Sequence, residues 1–204
     1  MSDKKYIMAF TTGSLFQRES LELARLYLEE GDWQKVRENA LKHNLLQART
    51  QATLKRVFCE ISIRLSTLSS EELEFLVHSD SKDQCYLLWL AVCRRYKFIA
   101  DFAVEVIRER YLSLKGDLHP EDFDSFFNRQ SDWHPELQEL SHATVNKLRQ
   151  VLFKILREAN LLNADNSINP AILCPELYKL IIQNNKNELA YFPVFESDLE
   201  EIIV

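Results

Sequence analysis

The stretch RTQATLKRVFCEISIRLSTL, residues 49–68, decides the fold. Its Leu54, Val57, Phe58, Ile61, Leu65 and Leu68 recur at intervals of three and four, the spacing that gathers side chains on one face of a 3.6-residue helix. Arg49, Gln51, Lys55, Arg56, Cys59 and Glu60 fall on the opposite face, and residues 49–64 hold four bases against one acid. The pattern predicts an amphipathic helix over 49–67, apolar side inward and basic side outward.

Upstream of it lies a shorter helical pattern, Trp33 to His43, joined by the tight link Asn44 to Ala48. A short helix, a turn and a longer basic helix is the order of a helix-turn-helix, whose second helix can enter a major groove about 12 Å wide. The same order recurs downstream. Val145, Leu148, Leu152, Ile155, Ala159 and Leu162 form a second apolar stripe, which leaves Asn146, Lys147, Gln150, Lys154 and Arg157 outward. Two short helices opened by Pro120 and Pro135 precede it, and Ser141 is placed to cap it, leaving amides free to meet an anion. Basic outer faces are more often solvation than recognition, but two of them in the same context bring groove docking level with that plainer reading.

The rest of the chain is equally helical in pattern. Three glycines in 204 residues and no alternating stretches across a hairpin turn leave little room for strands. Ser14 with Gln17, Ser69 with Glu72, Ser81 with Gln84 and Ser197 with Glu200 fit the capping box, and Pro120, Pro135 and Pro175 fit a first helical position. The expected helices are 14–30, 32–43, 49–67, 70–78, 82–95, 97–114, 120–129, 135–140, 142–160, 175–184 and 197–203. A glycine and a charge reversal at Leu114–Leu118 suggest a hinge. The expected architecture is therefore all-α, two small helical subdomains: 1–115, with a helix-turn-helix-like unit at about 32–67, and 118–204, with another at about 120–160. Residues Asn163 to Pro170 make a polar turn, readable as a plain loop or as a short wing after the helix.

Composition narrows the function classes. With 46% apolar and 27% charged residues the chain reads as an ordinary globular protein, so disorder is expected only at its ends. A net charge of -6 gives no whole-molecule attraction to nucleic acid or anionic lipid, so any such contact must be a local patch. The longest apolar run, Cys85 to Cys93, is nine residues, half of what a bilayer requires, and reads as a buried helix. Four cysteines without a C-x-x-C pair, and a start without a secretory signal, suggest reduced thiols and a cytoplasmic location.

Catalytic signatures are missing. No clustered glycines could cradle a phosphate, His43, His78, His119, His134 and His142 lack metal-ligand spacing, and Cys59 has no histidine near it in sequence. A non-enzyme without cofactor or metal is expected. Arg94, Arg95, Lys97, Arg108, Arg110 and Lys115 are interleaved with Asp101, Glu105 and Glu109, which suggests intrahelical pairs. The tail from Lys186 to Val204, with five acids against one base, reads as a solvated terminal helix.

Beside this reading, several strings resemble a known family. Phe10-Thr11-Thr12-Gly13-Ser14-Leu15, Arg18-Glu19-Ser20, Gly31-Asp32-Trp33 and Asn44-Leu45-Leu46-Gln47-Ala48-Arg49-Thr50 stand in order. Leu88-Trp89-Leu90-Ala91-Val92-Cys93-Arg94-Arg95-Tyr96 and Arg149-Gln150-Val151-Leu152-Phe153 follow. Together they resemble the BrxA family of bacteriophage-exclusion (BREX) systems from about Tyr6 to Pro193. The resemblance implies an all-helical monomer with two helix-turn-helix units that bind double-stranded DNA, acting in antiviral defence beside a methyltransferase and other BREX components. Taken from the two basic helices, which lie where that architecture would place its recognition helices, the candidate contact residues are Arg49, Thr50, Gln51, Thr53, Lys55 and Arg56 in the first unit. In the second they are Thr144, Asn146, Lys147, Gln150, Lys154 and Arg157. Two alternatives stay open: a protein adaptor that docks other BREX components, and a binder of structured RNA.

Overall fold

The computed structural model describes residues 5–195 and 197–198. The chain is mostly helical: α1 (Gln17–Glu30), α2 (Trp33–His43), α3 (Gln51–Leu65), α4 (Ser70–His78), α5 (Ser81–Arg95) and α6 (Lys97–Phe102) come first. A π-helical segment (Ala103–Arg108) leads into α7 (Glu109–Leu112). Then follow α8 (Pro120–Ser131), α9 (Pro135–Gln138), α10 (His142–Glu158), α11 (Pro175–Asn185) and a 3-10 turn (Lys186–Tyr191). The expected all-α class is correct, and among the described residues the only β pairing is two isolated bridges, Asp117 with Ser167 and Leu162 with Ile168. The expected helix at 197–203, and its cap by Ser197 and Glu200, lie almost entirely outside the described residues.

Caps explain where the helices start. Ser69 accepts from the Glu72 amide while Glu72 accepts from the Ser69 amide, the expected reciprocal box. Ser141 accepts from the Thr144 amide, and Pro120, Pro135 and Pro175 each open a helix. Two expected boxes are different. Ser14 donates to Glu158 across the fold, and Phe16, in the left-handed region at φ 58, precedes α1 with no side-chain cap. Ser81 lies inside α5, which Asp80 caps by accepting from the Lys82 and Asp83 amides. A carboxylate next door outcompetes the hydroxyl, since an ionised acceptor makes the stronger bond.

Helix α5 is the axis of the core: every residue from Asp83 to Cys93 is buried, as its apolar run suggested. Phe98 on α6 touches the rings of Tyr6, Phe10, Phe123, Phe126 and Phe127, and so ties the extended N-terminal segment to α8. Edge-to-face pairs dominate this cluster, the arrangement favoured by ring quadrupoles. The N-terminal segment also lies against α10, where a Cβ on Gly13 would stand 2.6 Å from Val151 Cγ2. Only glycine lets the backbone come that close. From the other end, the indole of Trp89 donates to the Tyr191 carbonyl.

Charged groups inside this core are shared between elements. Arg94 on α5 holds Glu72 of α4 and Glu188 of the 3-10 turn at 2.7 and 2.8 Å, and both acids are buried. Burial works against the Arg94 charge, but the bonds and charges of the two carboxylates outweigh it and raise its pKa. Glu188 thus corrects the expectation of a solvated tail: its part of the 186–204 segment is interior. Arg64 is also buried, paired with Glu60 at 2.7 Å, and Glu60 accepts as well from the Tyr96 hydroxyl. Burial, then the bond to Glu60, push the Tyr96 hydroxyl up.

Candidate nucleic-acid interface

The first basic face is built on a braced link. Helix α2 ends at Asn44 in the left-handed region, φ 48. The Asn44 side chain accepts from the Ala48 amide at 3.0 Å and donates to the Ala48 carbonyl at 3.1 Å, closing the turn. Thr50 then caps α3, accepting from the Thr53 amide, and donates its own hydroxyl proton to Thr53. Both hydroxyls are thereby occupied in starting the helix, which limits them as readers of a ligand. Arg49, Gln51, Lys55 and Arg56 are exposed and make no hydrogen bond or ion pair among the described residues.

Inward, Leu54, Phe58, Ile61, Leu65 and Leu68 are buried and Val57 is half-buried, so the periodicity located the core side of α3. Two charged residues of the segment turn away from the outward face. Glu60 turns toward Tyr96, and Arg64, one of the four bases of 49–64, is consumed by Glu60 and the Ser14 carbonyl. Three cations remain outward. The structure adds others that the pattern passed over: Lys35, Arg37 and Lys42 on α2 are exposed and without ion pairs among the described residues. Glu38, which stands among them in sequence, accepts from Gln34 instead.

The second face is narrower and cleaner. Leu148, Val151, Leu152, Phe153, Ile155 and Leu156 are buried, so most of the α10 circumference faces the core. What is left is a single exposed row, Asn146, Lys147, Gln150, Lys154 and Arg157, with Thr144 half-buried at its start. Thr144 pairs with the capping Ser141, and Asn146 accepts from Arg149, which is itself held by Asp124. Lys147 and Gln150 have no partner among the described residues. Exposed Lys154 stands 3.6 Å from the half-buried Glu158, whose other oxygen is bound by Ser14 and Leu15, a long pair at the protein edge of the kind that contributes little. Arg157 lies over the Phe153 ring and donates to the Asn166 amide oxygen, a neutral acceptor that leaves its charge uncompensated.

That bond joins α10 to a bridged loop. Asn163 donates to the Ser167 carbonyl, Ile168 to that of Gly116 and Leu118 to that of Asn166, so residues 162–168 double back and pair with 116–118. The polar turn is therefore a short wing-like loop, anchored by the same Leu114–Leu118 segment that sequence marked as a hinge. Asn160, just past the end of α10, is in the left-handed region, and Asn166 takes the same conformation inside the loop.

The third group of bases is neutralised mostly between elements and not within one helix as expected. Lys97 pairs with Asp101 in α6, but Arg110 holds Asp117 and Asp122, and Glu105 is taken by Arg129. Arg110 first, then His119, hold the Asp117 carboxyl below the usual range.

No group of three or more histidines, cysteines and acids among the described residues is arranged to hold a metal ion. No helix there is long and apolar enough to cross a membrane.

Comparison with known proteins agrees with the resemblance seen in the sequence. The profile of the BrxA family matches residues 4–185. A BREX protein BrxA of Escherichia coli O9:H4 (strain HS) is 28% identical over 190 residues, 92% of this chain and 89% of that protein. One from Paramagnetospirillum magneticum (strain ATCC 700264 / AMB-1) is 23% identical over 91% of this chain and 94% of its own length. A crystal structure of an uncharacterized protein from Magnetospirillum magneticum has the same fold: TM-score 0.80 at 20% identity, covering 92% of this chain and 97% of that one.

Proposed function

The chain belongs to the BrxA family, and from that premise we propose that it is a non-catalytic accessory protein of BREX phage defence that binds double-stranded DNA. In this reading α2–α3 and α8–α10 are helix-turn-helix units, and α3 and α10 each lie against the duplex. Arg49, Lys55, Arg56, Lys147, Lys154 and Arg157 contact phosphates, while Gln51, Asn146 and Gln150 reach base edges or sugar and Thr50, Thr53 and Thr144 fix the helix starts. The wing-like loop flanks the C-terminal end of α10. The observation that carries the proposal is that both basic rows are exposed and their cations largely free of acids. We place the protein in the cytoplasm as a monomer, near the methyltransferase and other BREX components.

Phosphate contacts made by cations release counterions, so affinity should fall steeply with salt and depend little on sequence. The test is fluorescence anisotropy of a labelled duplex at several salt concentrations, with Lys147→Glu, Lys154→Glu and Arg157→Glu combined. Losing three contacts should reduce the log–log salt slope by about 2.7. An unaltered slope removes α10 from the interface.

A protein adaptor is the second reading, and two observations favour it: the net charge of -6, and Trp133 at the α8–α9 turn, 76% exposed. Exposed tryptophans are common anchors of protein interfaces. Co-purification after nuclease treatment separates the readings, since partners retained without DNA support the adaptor. Competition between duplex DNA and RNA hairpins tests the structured-RNA reading.

A further inference from the structure

We propose that the cleft between the N-terminal segment, the α5–α6 junction and the 3-10 turn binds a phosphate-bearing small molecule of nucleotide size. The cleft measures about 500 Å³, within the range of small-molecule sites. Four bases line it: Lys5, Arg94, Arg95 and Lys97. Its two acids are already committed, Glu188 to Arg94 through both oxygens and Asp101 to Lys97 and the Tyr6 hydroxyl. Lys5 and Arg95 carry no ion pair among the described residues, so the cleft keeps two uncompensated positive charges.

Arg95 supplies the sharper clue. Its Nε is buried and has no hydrogen-bond partner among the described residues, whereas buried guanidinium donors are normally satisfied. The guanidinium is steadied over the Tyr96 ring, 5.7 Å from its centroid. The Arg95 Nη groups make no hydrogen bond among the described residues either, and they, Lys5 and the remaining Lys97 protons could serve the oxygens of a di- or triphosphate. Ile7 and Ala100 give the cleft an apolar side against which a base could lie. None of these residues belongs to the two basic rows assigned to the duplex, so the two sites can be perturbed separately.

Calorimetric titration of the full chain with ATP, pyrophosphate and adenosine tests this. ATP and pyrophosphate should bind at one site and adenosine should not. Arg95→Met should weaken ATP at least tenfold and Lys5→Met, at an exposed position that cannot affect folding much, severalfold; Lys147→Glu should leave ATP binding unchanged. No heat from ATP and pyrophosphate, adenosine binding as well as ATP, or both cleft variants binding like the wild type would overturn the proposal. Failure of duplex binding alone would leave it standing.

Discussion

Replacing Arg94 with methionine keeps the length of the side chain and removes the cation that holds three elements together. Arg94 donates through Nε to both oxygens of Glu188, through Nη1 to Glu72 and the Thr67 carbonyl, and through Nη2 to both acids. Glu72 is fully buried and Glu188 7% exposed, so the variant leaves two carboxylates inside with only the Ser69 amide and Asn184 donating to Glu72. Removing one partner of a buried ion pair costs about 3–5 kcal/mol. Urea unfolding followed by tryptophan fluorescence should show a midpoint lower by about 1–3 M. Adding Glu72→Met and Glu188→Met should recover most of the loss, because an apolar cluster of similar volume replaces the whole network. A deficit below about 1 kcal/mol, or no recovery in the triple variant, would refute this account of the core.

Gly13→Ala should destabilise by about 1–3 kcal/mol in the same assay, since the added Cβ meets Val151 Cγ2 at 2.6 Å and α10 must shift. Ser141→Ala should cost about 1 kcal/mol by removing the α10 cap, and Ser141→Thr should restore most of it. In a thiol-reactivity assay with Ellman's reagent, Cys59 should react first and its Ser variant should lose the fast phase. Cys85 and Cys93 are buried, and burial, aided by nearby carboxylates, lifts the Cys85 thiol to about 11, so both should react only on unfolding.

Much of this fold could be read locally because helix starts are local chemistry. Ser69–Glu72, Ser141 and the three helix-opening prolines act within one turn, and the structure places them where the sequence does. Ser14 and Gln17 failed as a box because their partners are remote: Ser14 meets Glu158, and Gln17 meets Ser81 and Gln84. The apolar stripes of α3 and α10 were legible for the same reason that Arg64 and Glu60 were not. Periodicity sorts residues by face, but whether a charge at the edge of a face turns inward depends on Tyr96 and the Ser14 carbonyl, distant in sequence. The π-helical segment at Ala103–Arg108 left no mark in the pattern, which reads as continuous helix. At the candidate interface, exposure follows from the period, while the free state of Lys147 and the neutral partner of Arg157 follow from neighbours no spacing rule supplies.

The central claim, two exposed basic rows meeting one polyanion, is tested most directly by the salt dependence of duplex binding by the unaltered protein. Six cations, Arg49, Lys55, Arg56, Lys147, Lys154 and Arg157, should give a log–log slope near about -5.4, a roughly thousandfold loss of affinity between about 50 and 200 mM salt. An affinity that stays flat across that range, or no binding at its low end, would contradict it.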